Sequence, residues 1–211
     1  MSQPQRESPP GEDSRSPKQS TLDRIRHAAR QLFVTRGYHD ARPQDIAREA
    51  GVANGTFYMH FADKQQAFLD FAEQAQNELL GFMEGRLAEA AGSRARWQAT
   101  CGAVIDFDAQ HPGLLAAAFL DPVFIAPRNE DAWRLYDRLG HLLSLTISGD
   151  NPPTEDDELI SHGICGLLRQ AMIYADRKKL DREEIVATLS RFIDQGLGTA
   201  AQTDRTEDLH G

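Results

Sequence analysis

The segment 37–61, GYHDARPQDIAREAGVANGTFYMHF, ends in a group of side chains suited to binding nucleic acid. An asparagine amide pairs with the edge of adenine, and a threonine offers a methyl group to thymine or a hydroxyl to phosphate. A glycine lets the backbone approach closely. Each of these groups is equally suited to base edges and to the sugar-phosphate backbone. The predicted DNA-contacting residues here are Asn54, Gly55, Thr56, Tyr58, Met59 and His60.

Two short helices joined by a tight turn would position these residues. Ile46, Ala47 and Ala50 form the apolar side of the first helix. Gly51 supplies a turn in which a Cβ atom would be costly, and Val52 fills the gap. Phe57 and Phe61, four residues apart, anchor the second helix. The pattern predicts a helix-turn-helix whose second helix enters the major groove; an αα-corner within a helical protein is the alternative.

The stretch from about Thr21 to Phe68 resembles the N-terminal DNA-binding domain of the TetR family. The resemblance implies a regulator of transcription, and it implies that Tyr58 and Lys64 contact phosphates. Half-buried packing for Tyr58 and plain surface charge for Lys64 are the alternatives. The residues that carry the resemblance are Ile25, Ala28, Ala29, Leu32, Phe33, Gly37, Tyr38, Asp45, Ile46, Ala47, Ala50, Gly51, Val52, Gly55, Thr56, Phe57, Tyr58, Phe61 and Lys64.

The start of the helix-turn-helix departs from the family pattern. Arg42 and Pro43 stand where Ser or Thr is usual, so Asp40 caps the helix or the backbone takes another route. Ala53 replaces a usual Ser, and Asn54 beside it is a possible cap for the second helix. Arg42, Pro43 and Gln44 complete the predicted DNA-binding set.

Charge is unevenly distributed along the 211 residues, whose formal net charge is −9. Between Ser14 and Lys64, nine basic residues stand against five acidic ones, so a basic head precedes an acidic body. A DNA-binding head with a separate regulatory body has this distribution. No apolar run is long enough to cross a bilayer, and no signal peptide is apparent, so we expect a cytoplasmic protein without a membrane partner.

Catalytic and metal-binding patterns are absent from the sequence. HExxH, GxSxG, GxGxxG and GxxxxGK[ST] do not occur. His111, His141 and His162 are spaced wrongly for one helical metal face. Cys101 and Cys165 are far apart and are expected to be reduced core thiols, with a disulfide or redox switch as the minority reading. We therefore predict no enzyme, no cofactor and no metal.

Through the rest of the chain, apolar residues recur at the spacing of a helix face, and no segment alternates apolar and polar residues as a strand would. The sequence predicts an all-α fold of about nine helices, with Ser20 or Thr21 capping the first, Gly37 ending it and Asp63 capping the fourth. Residues 1–17 would be a flexible arm, 18–64 the DNA-binding domain with three helices, 65–198 an effector-binding and dimerisation domain, and 199–211 a polar tail. The later helices are expected at about 94–110, 113–120, 128–147, 155–177 and 181–197.

Large side chains in the body indicate an effector cavity, although for each single residue plain core packing is the favoured alternative. Arg169 would meet an acidic group of the effector, an acid across a dimer, or solvent. A mainly apolar small molecule is the predicted effector. Its predicted contacts are Trp97, Cys101, Phe119, Trp133, Tyr136 and Arg169.

The last two helices are predicted to hold a homodimer, because each has more apolar positions than one buried stripe needs. The predicted interface residues are Gly163, Gly166, Leu167, Leu189 and Phe192. Close packing within one subunit would explain the two glycines equally well. The leading hypothesis is a repressor released from a palindromic operator in double-stranded DNA. A ligand-independent or partner-regulated DNA-binding protein, or an all-α enzyme or binding protein with a structural helix-turn-helix, are the alternatives.

Overall fold

A computed structural model describes residues 17–119, 130–149 and 151–207. These residues contain nine α-helices and no strand, which confirms the predicted all-α class. None of the described helices is long and apolar enough to cross a bilayer. The helices are α1 (Pro17–Asp40), α2 (Pro43–Glu49), α3 (Asn54–Tyr58), α4 (Lys64–Leu87), α5 (Ser93–Gln110), α6 (Leu114–Phe119), α7 (Glu130–Ser148), α8 (Glu155–Lys178) and α9 (Arg182–Glu207).

The first helix begins at Pro17, so neither Ser20 nor Thr21 caps its start as predicted. Proline is suited to a first helical turn because its missing N–H has no partner there. The chain leaves helical geometry at Gly37, whose φ is +75°, and this confirms the predicted break. The predicted arm, residues 1–17, lies almost wholly outside the described residues.

Side-chain caps fix the starts of two long helices. The Asp63 carboxylate accepts a hydrogen bond from the backbone N–H of Gln66 at 2.8 Å, as predicted for the start of α4. At the start of α8, Thr154 and Asp157 form a reciprocal capping box that satisfies two otherwise unpaired backbone donors. The last helix, α9, continues to Glu207, beyond the predicted end at 197, so the expected polar tail is helical over most of its length.

One apolar cluster connects the N-terminal helices to the body. It extends from Ile25 through the buried face of α4 to Ile193. Helix α1 packs on α2, α4 and α6, while α5 packs along α9 and α7 packs along α8. Because α4 reaches from the helix-turn-helix deep into the body, it couples the two parts mechanically. The domain boundary at residue 64 stays a prediction.

Candidate nucleic-acid interface and effector cavity

The short helix α3 is anchored on one side and open on the other. Phe57 is 0% exposed, and its ring lies 5.7 Å from that of Phe61. On the opposite side Tyr58 is 46% exposed and Met59 is 78% exposed. Burial of the two phenylalanine rings therefore holds the helix in place while its other side faces outward.

The remaining predicted contact residues share this open side. Asn54 and Gly55 are exposed, and Thr56 and His60 are half-buried. A Cβ atom built on Gly55 would meet no other atom within 4 Å, so another molecule has room to approach the backbone here. Ala53 is the N-cap of α3 and makes no side-chain cap bond, so the predicted capping by Asn54 is wrong. The turn before it has Gly51 at φ +64°, as predicted.

Helix α2 begins without a side-chain cap. Arg42 is its N-cap in an extended conformation, and Pro43 is its first residue, so Asp40 does not replace the missing hydroxyl cap. Arg42 and Gln44 are exposed at this end. The proline removes one N–H that would otherwise need a partner, which lowers the need for a cap.

Lys64 is engaged within the protein. Its Nζ donates hydrogen bonds to the carbonyl oxygens of Tyr38 at 2.8 Å and His39 at 3.2 Å. The same ammonium lies 4.3 Å from the centre of the Tyr38 ring. The side chain thus fixes the end of α1 against the start of α4. Contact of Lys64 with phosphate stays a prediction.

Arg24 supports the turn of the helix-turn-helix, a contact that the sequence did not predict. Its guanidinium donates hydrogen bonds to the carbonyl oxygens of Ala50 and Gly51, the latter at 2.8 Å. These two carbonyls lie in the turn between α2 and α3, so Arg24 braces the turn from α1. Its partners are 26 and 27 residues away, and no local spacing signals such a contact.

Much of the basic charge of residues 14–64 is also committed internally. Arg26 binds Asp70 at 2.6 Å, and Arg30 forms two hydrogen bonds with Glu78. These acids lie on α4, just beyond the region over which the sequence analysis counted charge. Arg26 and Arg30 therefore connect α1 to α4, and fewer basic side chains are available to DNA than the net charge of residues 14–64 indicates.

The body contains a partly open cavity of about 520 Å³, bounded by α4, α5, α6, α7 and α8. Two predicted effector residues, Phe119 and Arg169, line it. Its other walls are mainly apolar, and two carboxylates and one thiol also face it. These further lining residues are Leu79, Met83, Val104, Asp108, Ala109, Pro112, Gly113, Leu115, Ala116, Leu139, Leu143, Cys165, Leu168, Met172, Ile173 and Asp176.

The other four predicted effector residues lie elsewhere. Trp97 and Cys101 are fully buried in the core and do not line the cavity, and burial raises the pKa of the Cys101 thiol to about 12. Trp133 is exposed on α7 beside Tyr136, with ring centres 6.2 Å apart. The Tyr136 hydroxyl donates to the Phe119 carbonyl at 3.4 Å, behind the cavity wall. Aromatic content alone does not separate wall residues from core residues.

Comparisons with known proteins agree with the helix-turn-helix. Residues 25–70 match the sequence family described as "Bacterial regulatory proteins, tetR family". The chain is 31% identical over 94 residues to the transcriptional activator FasR of Mycolicibacterium smegmatis, covering 44% of this chain and 43% of FasR. It is 29% identical over 69 residues to the fatty acid metabolism regulator protein of Bacillus subtilis, covering 33% of this chain and 36% of that protein. The chain thus spans less than half the length of these curated relatives.

Residues 25–70 are therefore similar to the DNA-binding domain of the TetR family. Solved structures with the same fold extend the likeness to the body. The fatty acid degradation regulator FadR of Bacillus halodurans superposes with a TM-score of 0.68 at 21% identity, over 88% of this chain and 98% of that one. A TetR-like regulator from a Rhodococcus species gives 0.65 at 15% identity, over 84% and 96%. The match to the family model is confined to residues 25–70, whereas the likeness in fold covers 88% and 84% of this chain.

The outer surface of α8 and α9 carries two of the five predicted dimer residues in exposed positions. Phe192 is 65% exposed, and Gly163 is exposed. A Cβ atom at Gly163 or Gly166 would meet nothing within 4 Å, so packing within the subunit does not explain these glycines. Leu167 is half-buried against the core, and Leu189 is only 9% exposed. Leu189 therefore belongs to the core and not to the outer surface.

Proposed function

We propose that the protein is a transcription regulator that binds a palindromic operator through α3 of two subunits. The observation that carries the proposal is the exposed side of α3. The helix is held in place by the buried ring of Phe57 on its opposite side and by the hydrogen bond of Arg24 to the preceding turn. A recognition element must be rigid and accessible at once, and this arrangement meets both needs. DNA lies in the cytoplasm of a bacterium, so we place the regulator there.

The roles of individual residues in DNA binding follow from their chemistry and exposure. Asn54 and Thr56 offer groups that read base edges, and the exposed Tyr58 phenol reaches the phosphate backbone. Arg42 and Gln44 at the start of α2 are further backbone contacts. We assign Lys64 mainly to holding the end of α1, because two carbonyl oxygens already accept from its ammonium.

Fluorescence anisotropy of the full chain with random duplexes of about 30 base pairs tests DNA binding. The apparent Kd is expected to rise steeply between about 50 and 200 mM salt, because phosphate contacts release counterions. Tyr58→Phe should weaken binding to all duplexes, whereas Glu89→Gln, which neutralises an exposed acid away from α3, should not. No binding at low salt, or equal effects of both substitutions, would contradict the proposed interface.

We further propose that a mainly apolar effector occupies the cavity and releases the regulator from DNA. A volume of about 520 Å³ lies within the range of small-molecule sites. The cavity wall includes α4, whose first residue, Lys64, is hydrogen-bonded to the end of α1, so an effector that shifts α4 would alter the separation of the two heads. This favours ligand control over a ligand-independent regulator, for which a filled body would be expected.

The relatives' names bear on both the effector and the direction of control. Two of them are named for fatty acid degradation or metabolism, so a fatty acid whose carboxylate meets Arg169 is a second candidate effector. FasR is named an activator. Transcription in vitro from an operator-bearing template would decide between repression and activation: added protein should lower transcript yield if it represses.

We propose that α8 and α9 form the homodimer interface. The support is the outward-facing apolar surface, which includes Leu159, Tyr174 and Phe192, and the open space over Gly163 and Gly166. Glycine costs about 1 kcal/mol of helix propensity relative to alanine, and close approach of a second helix would offset that cost. A four-helix interface of this kind should bury more than about 1,600 Å².

A further inference from the structure

We propose that the effector bound in the cavity carries a protonated amine, with Asp108 and Asp176 as its anchor and the apolar walls holding its hydrocarbon body. This inference rests on the proposed function, which places an effector in this cavity. It goes further by assigning the charge of the effector's polar end, and it selects a lipophilic cation over a fatty acid.

The first observation is an uncompensated carboxylate. Asp108, in the last turns of α5, lines the cavity, is half-buried and has no hydrogen bond or ion pair with any residue that the structure describes. Its cavity neighbours on α5 and α8 include the apolar side chains Val104 and Met172. Partial loss of hydration without a protein partner disfavours the charged carboxylate, and a cation bound beside it would offset that cost.

The second observation is the sign of the surrounding charge. Asp176, near the end of α8, lines the same part of the cavity and interacts electrostatically with Asp108. Burial, and then the negative charge of Asp176, raise the pKa of Asp108. Lys179 binds Asp176 at 2.7 Å, but both side chains are 80% exposed, so water screens this pair strongly. This end of the cavity therefore holds two carboxylates: Asp176 has Lys179 as a weakly coupled counter-ion, and Asp108 has no ion-pair partner among the described residues.

The third observation is that Arg169 is already occupied and lies at a distance. Burial raises the pKa of the Tyr136 hydroxyl, and the positive charge of Arg169, which interacts with that group, lowers it by a smaller amount. Arg169 precedes Asp176 by seven residues on α8, which places the two about 10 Å apart along the helix axis. The guanidinium thus has a partner within the protein, whereas Asp108 has none. Charge complementarity favours an amine at the acidic end over an acid at the arginine.

The apolar surface between these ends accommodates an alkyl or ring system. Cys165, Leu168 and Met172 lie on the α8 side, and Leu79 and Met83 face them from α4. Methionine and leucine side chains adapt to varied hydrocarbon shapes. The resulting ligand class is a hydrophobic amine or ammonium with a body of moderate length.

Three probes with one hydrocarbon chain and different head groups test this inference: decylamine, decanol and decanoate. Isothermal titration calorimetry with the full chain should show decylamine binding at least about tenfold more tightly than the other two, which equals about 1.4 kcal/mol. Asp108→Asn should remove that preference and leave decanol binding unchanged. Asp156→Asn, which neutralises an exposed acid at the far end of α8, is the matched control and should change neither affinity.

Each other outcome is informative. Equal binding of the three probes, or an amine preference that survives both Asp108→Asn and the double substitution with Asp176→Asn, would overturn the inference while leaving the effector cavity in place. Tighter binding of decanoate that is lost in Arg169→Gln would overturn it in favour of the fatty acid. If none of the three bound, the effector part of the proposed function would fail as well.

Discussion

Asp106 joins three helices of the body, and its neutralisation should loosen all of them. The carboxylate on α5 accepts hydrogen bonds from Arg86 on α4 and from two nitrogens of Arg182 on α9. Asp106→Asn keeps the shape of the side chain but removes its charge. We expect the substitution to lower the free energy of unfolding at neutral pH and to lower the midpoint of urea denaturation.

The magnitude follows from the exposure of the partners. A sheltered hydrogen bond to a charged group contributes about 1.5–3 kcal/mol, and an exposed ion pair about 0–1 kcal/mol. Arg86 is 38% exposed and Arg182 is 48% exposed, while Asp106 is 17% exposed. The network lies between the two limits, so we expect a loss of about 1–2 kcal/mol.

The effect should depend on pH in a defined direction. The hydrogen bonds from Arg182 and Arg86 lower the pKa of Asp106 to about 2, against about 3.9 in an unfolded chain. Since the folded-state pKa is the lower one, the stabilisation is fully present above about pH 5 and is lost as the pH falls towards 2. The difference between wild type and Asp106→Asn should therefore shrink below about pH 4.

Urea unfolding at fixed protein concentration, followed by far-UV circular dichroism from neutral pH down to about pH 3, measures this difference. Glu89→Gln neutralises an exposed acid and is the control for net charge. A variant within about 0.5 kcal/mol of wild type at pH 7, the range of ordinary surface changes, would refute the reasoning. A difference that stays constant down to pH 3 would refute the assignment of the low pKa.

Two further predictions concern the head and the interface. Arg24→Ala should speed amide hydrogen exchange in the turn at Gly51 and weaken DNA binding, because the turn loses two charge-assisted hydrogen bonds. The control is His27→Ala, which changes an exposed side chain on the same helix and should have neither effect. Equal exchange rates at Gly51 in both variants would refute the role of Arg24 in holding the turn. Phe192→Glu should yield monomers in light scattering at micromolar concentration, whereas Gln98→Glu on α5 should remain dimeric. A wild-type monomer would disprove the interface.

The helices and the turn were predictable because they depend on local chemistry. Apolar spacing located the buried faces of α1 and α4, Asp63 marked a helix start, and Gly51 marked the turn at positive φ. The predicted caps of α1 and α3 were wrong, because Ser20 and Thr21 lie inside α1 and Asn54 lies inside α3. At α2 the first of two alternatives, a cap from Asp40, was wrong, and the backbone enters the helix through Arg42 and Pro43 without a side-chain cap.

The cavity and the long-range ion pairs were not predictable to the same degree. Trp97 and Phe119 have similar character in sequence, yet one is core and the other cavity wall, because the difference depends on how α5 and α6 are placed against α8. Arg24 contacts a turn 26 residues away, and Asp106 binds an arginine 76 residues away. Such pairs are set by tertiary geometry, which no spacing rule contains.

Selection of bound duplexes from a random library by the full chain tests the central claim most directly. We expect enrichment of an inverted repeat whose half-sites lie about one helical turn apart, because a dimer presents two copies of α3. Asn54→Ala should change the enriched bases, and Glu89→Gln should not. A sequence pool that stays random through selection, at a salt concentration where the protein binds DNA, would contradict the claim that α3 reads an operator.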